Sequence, residues 1–126
     1  MPSQNNSGAQ YDKQHAITQV ATAVLAAYRL LGYDGAYATS AGGVRDVQGV
    51  TESAAAVNDG VSVVISYSYL VEASVALAFS DYVKPAADGT GRAALGTLTD
   101  HCGRALGAAT AAGQLFEMQI VRHVHA

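Results

Sequence analysis

Three consecutive residues, Asp100, His101 and Cys102, carry the side chains that a cysteine nucleophile, its imidazole base and a supporting acid would need. The surrounding pattern predicts a helix, and neighbouring side chains on a helix point about 100° apart, so His101 could not take the proton of Cys102. Cys102 is the single cysteine of the chain, and we interpret it as a small core residue. We therefore predict no catalytic residue here.

Two other stretches resemble ligand-binding motifs. His123 and His125 could bind a metal ion only in an extended chain, and a zinc site would need further ligands, for which His15 and His101 are the only other histidines. The glycine-rich residues 40–45 lack the lysine of a P-loop and the spacing of a dinucleotide fingerprint. The sequence thus predicts no metal ligand, no cofactor-binding residue and no cofactor.

Hydrophobic periodicity predicts the elements that would position these residues. Residues 61–79 are the most apolar run of the chain, and Pro85 ends that element because proline lacks a backbone N–H. Apolar residues recur at helical steps through residues 92–124, which is typical of an amphipathic helix. The two segments together predict a long antiparallel helical hairpin in a mainly α fold.

Further elements precede the hairpin. Residues 11–31 show apolar residues at helical steps and are followed by Gly32, which predicts an N-terminal helix. Residues 32–50 predict a Gly-rich loop, either an exposed functional loop or a clamp on a neighbouring subunit. Thr51, as a helix cap, and the alanines after it predict helix again.

The central run also fits a strand, because all of its odd-numbered positions are apolar and most of the even ones are Ser, Ala or Glu. One strand over residues 61–79 would exceed the usual length of about 3–10 residues. We therefore favour helix and keep an α+β fold with strands in 61–79 as the alternative.

The hairpin predicts one buried polar group. With its turn near Ala87, Glu72 comes level with Arg104 and His101 on the opposite helix. A buried carboxylate without a partner is costly, so we predict that Glu72 pairs with these residues.

Two sets of residues are predicted to form an assembly interface. Gly103, Gly107 and Ala111 form a ridge of small residues along the predicted helix, which would let another backbone approach closely. Tyr33 and Tyr37 lie in the Gly-rich loop, and tyrosine is enriched at protein interfaces.

Composition bounds the domain organisation. A chain of 126 residues is long enough for one domain, predicted as a single helical domain over residues 11–126 after a disordered polar arm at residues 1–10. Half of the residues are apolar, yet there is no Trp and only two Phe, so most apolar side chains are small. Small side chains bury little area, and we expect copies of the chain to shield one another.

The charge pattern excludes some classes of function. Only 13% of the residues are charged and the net charge is −3, which argues against nucleic-acid binding. A single cysteine and no signal-peptide pattern fit a cytoplasmic protein. Glu72 and several serines make residues 60–80 too polar for a favoured membrane span.

Short motifs in roughly the second half resemble the R-body structural proteins, the killing-trait family. The likeness lies in residues 57–61 (Val-Asn-Asp-Gly-Val), 75–77 (Val-Ala-Leu) and 94–96 (Ala-Leu-Gly), and in an Ala-rich segment that ends in Gln114 and Gln119. The resemblance implies a self-assembling protein whose polymer changes shape with pH. It would make the four histidines proton-sensing groups, and the group of Glu72, Arg104 and His101 a candidate pH sensor.

The sequence favours a non-enzymatic, self-assembling structural subunit that forms a homo-oligomer or polymer, with itself as the partner. An enzyme is disfavoured, and the first alternative is a small α+β enzyme or ligand-binding domain in which the 32–50 loop lines a pocket. A second alternative is a membrane-active, holin-like protein with residues 61–79 inserted.

Overall fold

The computed structural model describes residues 16–41 and 46–121, and this part of the chain forms nine β-strands and no helix. All strand pairs within its two sheets are antiparallel, with the orders β1-β4-β3-β2 and β5-β9-β8-β6-β7. The strands are β1 (Ala16–Val20), β2 (Leu30–Gly32), β3 (Val47–Thr51), β4 (Gly60–Val64), β5 (Ser68–Glu72), β6 (Tyr82–Pro85), β7 (Ala93–Leu95), β8 (Gly103–Ala105) and β9 (Leu115–Ile120).

The first sheet is a rolled two-stranded ribbon. Residues 16–32 run antiparallel to residues 47–64, with paired positions at both ends and in the middle. The ribbon closes on itself because Val50 of β3 also pairs with Val64 of β4. Its middle part, where Leu25 pairs with Ala55, lies across the sheet and forms a second layer. We call residues 21–28 and 53–57 the first outer layer.

The second sheet repeats this path. Leu77 pairs with Ala109 as Leu25 pairs with Ala55, and β8 pairs with β9 as β3 pairs with β4. The N–H of Ser80, a residue with φ 72°, donates to Ala105, as Tyr28 with φ 64° donates to Thr51. The described chain is therefore two copies of one unit, the first repeat (residues 16–65) and the second repeat (68–121). Residues 73–80 and 106–113 are the second outer layer.

Equivalent positions build the two cores. The first core contains Ala21, Leu25, Leu31, Ala55, Val61 and Val63. The second contains their counterparts, Ala73, Leu77, Val83, Ala109, Phe116 and Met118. It also takes in Leu30, Ala38 and Val50 from the first repeat. The sheet of the first repeat is thus covered on both faces, which explains why the adjacent Leu30 and Leu31 are both fully buried.

The prediction of a mainly α fold is wrong. Residues 16–31, predicted as helix, hold β1 and part of β2, and the predicted helix over 92–124 holds β7, β8 and β9. Neither helix of the predicted hairpin occurs among the described residues, which form a β structure where a single helical domain was predicted. In an Ala-rich chain, apolar residues recur at helical spacing even where no helix forms. Pairing between distant strands then overrides the helix propensity of the segment.

The central run, residues 61–79, contains no helix. Its alternation reflects β4 and β5, separated at residues 65–67 where Tyr67 has φ 66°, and the rest of the run belongs to the second outer layer. Because the run is divided into separate strands, the usual limit on strand length does not exclude strands here. The α+β alternative placed strands here correctly, but its α part is absent from the described residues. In the same residues no helix is long and apolar enough to cross a membrane.

Candidate functional site

A charged group clamps the two repeats together. Glu72, at the end of β5, accepts a hydrogen bond of 3.3 Å from Arg29 of the first repeat and lies 3.7 Å from Arg92. Arg29 also donates to the carbonyl oxygen of Thr90 at 2.7 Å. The backbone N–H of Glu72 donates to the carbonyl of Tyr28, so side chain and main chain bridge the same junction. The repeats are held by directional contacts as well as by their shared core.

The hairpin between β6 and β7 completes this junction. Gly91, with φ 73°, lies so close to Tyr37 that an added Cβ would meet its ring at 2.6 Å. The hydroxyl of Tyr37 accepts a hydrogen bond of 2.6 Å from the N–H of Ala26. Hydrogen bonds from the hydroxyl and N–H of Thr90 lower the pKa of Asp88, which lies 3.9 Å from Arg92. Tyr37 therefore makes its contacts within its own chain, with Gly91 and with the N–H of Ala26.

The other two residues of the predicted buried group lie elsewhere. The guanidinium of Arg104 sits 4.4 Å from the centre of the Tyr82 ring and donates twice to the carbonyl of Ser80. His101 packs on the same ring, with 4.7 Å between the ring centres. The structure thus brings Arg104 and His101 together around Tyr82, while Glu72 binds Arg29 and Arg92 instead.

The Asp100–Cys102 stretch does not form a nucleophilic site. Cys102 is buried, as predicted, and loss of hydration together with the charge of Asp100 raises its pKa to about 12. Asp100 lies 3.4 Å from Lys84, and His101 packs on Tyr82. A thiol with that pKa stays protonated at neutral pH, so this arrangement cannot supply a thiolate.

Among residues 16–41 and 46–121, no group of three His, Cys, Asp or Glu could hold a metal ion. His15, His123 and His125 lie outside the described residues, as do the predicted arm at residues 1–10 and part of the glycine-rich motif.

The predicted interface residues are dispersed. Gly103 is buried in β8, where an added Cβ would meet Met118 Sδ at 2.7 Å. Gly107, which has open space around it, and the exposed Ala111 lie in the second outer layer. Tyr33 is 67% exposed beside the end of β1, where its carbonyl accepts a hydrogen bond from Gln19.

Sequence reasoning missed the repeat and its exposed outer layers. A signal was present, because Ala21-Thr22 and Leu25-Ala26 recur at the same spacing as Ala73-Ser74 and Leu77-Ala78. Large apolar side chains are exposed in both outer layers, led by Val24 at 73% and Phe79 at 65%. These layers, rather than a pocket of reactive groups, are the candidate functional surface.

Together these features define a small β-protein of two repeats in which most reactive side chains serve structural contacts. A virus protein of known structure shares this fold. The chain is similar to the N base of the head fiber gp8.5 of bacteriophage phi29, with a TM-score of 0.60 and 19% identity, over 86% of this chain and 94% of that chain. No protein-family model and no curated protein matches the chain. The resemblance to R-body proteins therefore stays a prediction.

Proposed function

We propose that this chain is a non-enzymatic structural module of a virus particle, acting as the base of a surface fiber or a comparable appendage. The observation that carries the proposal is the fold shared with the phage phi29 head fiber base over nearly the whole of both chains. Fold alone does not determine function, so this step rests on analogy.

The use made of polar side chains supports a structural role. Glu72, Arg29 and Arg92 join the repeats, and Arg104 binds the carbonyl of Ser80. A catalytic site usually keeps reactive groups together in a cleft with perturbed pKa values. Here the described groups are spread over separate contacts, as a scaffold requires.

Assembly with other protein chains is part of the proposed role. The exposed apolar side chains of the outer layers suit contact with protein better than contact with water. A shape that responds to pH remains a prediction from the R-body resemblance. His101, on the Tyr82 ring, would be its first residue to test.

The proposal is tested on virus particles purified from cultures of the organism that carries this sequence. We expect peptide mass spectrometry to find the chain in particles at a fixed ratio to the major shell protein, and gold-labelled antibodies to mark the head surface. Labelled recombinant chain should also sediment with particles stripped of it, whereas an unfolded Gly103→Val chain should not. Absence from particles, together with failure to sediment, would refute the role.

A further inference from the structure

The sheet of the first repeat is joined to the second repeat through a row of aliphatic side chains. Leu30 pairs with Val50, and Val50 pairs with Val64, so the three lie side by side across β2, β3 and β4. All three are buried, and Leu30 and Val50 belong to the second core. This face of the first sheet is therefore the one that the second repeat covers.

The strand register identifies the equivalent row of the second sheet. Tyr82 pairs with Arg104, and Arg104 pairs with Gln119, across β6, β8 and β9. The two rows correspond because a glycine, Gly49 or Gly103, precedes the middle residue of each and lies against the carbonyl of its last residue. Tyr82 and Arg104 are only half-buried and Gln119 is exposed, since no third repeat covers this row among the described residues. We call this side of the second sheet the open face.

Charged side chains separate the open face from its counterpart in the first sheet. Because side chains alternate along a strand, the open face carries Lys84 and Glu117 beside Arg104. The residues at the places of Lys84 and Glu117 in the first sheet are Gly32 and Ser62, which are uncharged. A further repeat packed on the open face would remove water from these charges, which is costly.

The clamp residue also changes its charge. The carbonyl of Arg29 accepts a hydrogen bond from the N–H of Thr51, as the carbonyl of Asp81 does from the N–H of Ala105, so Asp81 occupies the place of Arg29. Arg29 attracts the carboxylate of Glu72 in the existing junction. A further repeat would bring its own counterpart of Glu72 up to Asp81, and two carboxylates repel each other. The open face thus lacks both the aliphatic row and the cation that hold the existing junction.

We propose that the open face is a cap, on which no further repeat, of this chain or of another copy, packs. Four residues form the cap: Asp81, Tyr82, Arg104 and Gln119. Repeat proteins need terminal units with a polar outer face to remain soluble. In a longer array every repeat except the last would keep the aliphatic row. This inference stands apart from the virus role, since it concerns only how repeats join.

A three-repeat chain tests the cap. Residues 1–120 joined to residues 66–126 add a third repeat at the natural spacing, because Ile120 occupies the place of Ile65 before the linker. The second core is completed by residues of the first repeat, so a third repeat that does not dock lacks part of its core and stays open to protease. The comparison chain carries the residues of the first repeat in its middle repeat: Asp81→Arg, Tyr82→Leu, Arg104→Val and Gln119→Val. We expect a protease of broad specificity to remove the third repeat at least about ten times faster when the cap is intact.

A matched control separates the cap from the effect of added apolar atoms. It carries Ala76→Leu, Ala108→Val and Ala111→Val in the middle repeat, at exposed positions away from the cap, and its third repeat should be cleaved as fast as with the intact cap. Circular dichroism of the two-repeat chain with each set of changes checks folding. Asp81→Arg alone leaves the row unchanged and should still slow the cleavage. Equal cleavage with and without the cap, or protection by the control set, would overturn the inference.

Disulfide trapping tests the cap in the full two-repeat chain. Cys102 is buried and its pKa is about 12, so an added surface cysteine reacts without competition. Gln119→Cys places a thiol in the cap, and Ala87→Cys places one in an exposed turn outside it. We expect the two variants to form disulfides between molecules at the same rate. Trapping of Gln119→Cys several times faster than Ala87→Cys would show that copies meet on this face, against the proposal.

Discussion

The backbones of the two repeats follow the same path, but the side chains that fill their cores differ. Leu31, Val61 and Val63 fill the first core where Val83, Phe116 and Met118 fill the second. The second core is therefore larger, and the first repeat compensates by burying Leu30, Ala38 and Val50 against it. The path is set by backbone pairing and by a few small residues, while the volume of the core is free to vary.

The repeats also differ at one buried polar position. Cys102, beside β8, is replaced in the first repeat by Gln48 of β3. The Oε1 atom of Gln48 is buried, and no donor in the described part of the chain reaches it. The first repeat thus keeps an unsatisfied buried oxygen at a position where the second carries a thiol.

The largest expected effect comes from the glycines that the repeats share. An added Cβ at Gly49 would meet the carbonyl of Val64, and one at Gly103 would meet that of Gln119. We expect Gly49→Val and Gly103→Val each to lower the free energy of unfolding by more than about 5 kcal/mol, because the displaced atom is backbone. Urea denaturation followed by circular dichroism measures this. Gly107→Val is the control, with no atom within 4 Å, and equal stability of all three variants would show that the two strands do not approach so closely.

A smaller loss of stability is expected when a side chain in one of the two cores is truncated, and the size of the loss differs between the cores. Phe116→Ala should cost about 3–5 kcal/mol, and Val61→Ala, at the equivalent position, about 2 kcal/mol. The difference follows from the apolar area each side chain buries. Leu115→Ala, at a residue 43% exposed, should cost much less. If Val61→Ala were as damaging as Phe116→Ala in denaturant titrations, the first core would be as important as the second.

The clamp between the repeats ranks third. Glu72→Gln should lower the free energy of unfolding by about 1–2 kcal/mol, since it removes the charge between Arg29 and Arg92 in a partly exposed place. The loss should shrink in high salt, which screens the charges. Glu52→Gln is the comparison, because Glu52 bonds Ser62 within one repeat. If the loss of unfolding free energy caused by Glu72→Gln did not change with salt concentration, charge would not be what holds the repeats together.

The smallest effect is a gain. Gln48→Met should raise the free energy of unfolding by about 1 kcal/mol, because it removes the unpaired buried oxygen. The reciprocal change, Cys102→Ser, should cost about 1 kcal/mol or more by placing a hydroxyl in an apolar site. Thermal melts of both variants decide the matter. Destabilisation by Gln48→Met would show that the amide has a partner that stabilises the fold.

Some of this structure was predictable from the sequence. The alternation in residues 61–79 correctly indicated strands, and the prediction that Cys102 is a buried core residue is confirmed. Helix was favoured chiefly because one strand of that length is implausible. The turn at Tyr67, a non-glycine residue with φ 66°, divides the run, and no sequence signal for a turn marks it.

The outer layers were misread for a different reason. Alanine has the highest helix propensity, so alanine-rich segments favour helix when they are judged alone. Here Ala21, Ala55, Ala73 and Ala109 are instead buried in the cores of a β structure, beneath the outer layers. The clamp of Glu72 with Arg29 and Arg92 was equally hidden, since it depends on contacts between residues far apart in sequence.

Each repeat begins and ends on neighbouring strands, since β1 pairs with β4 and β5 with β9. The entrance and exit of the unit therefore lie side by side, and a linker of three residues is enough to pass from one unit to the next. Such a module can be duplicated in a gene without rebuilding its neighbours. A chain built this way could be extended to a longer array by joining further repeats end to end.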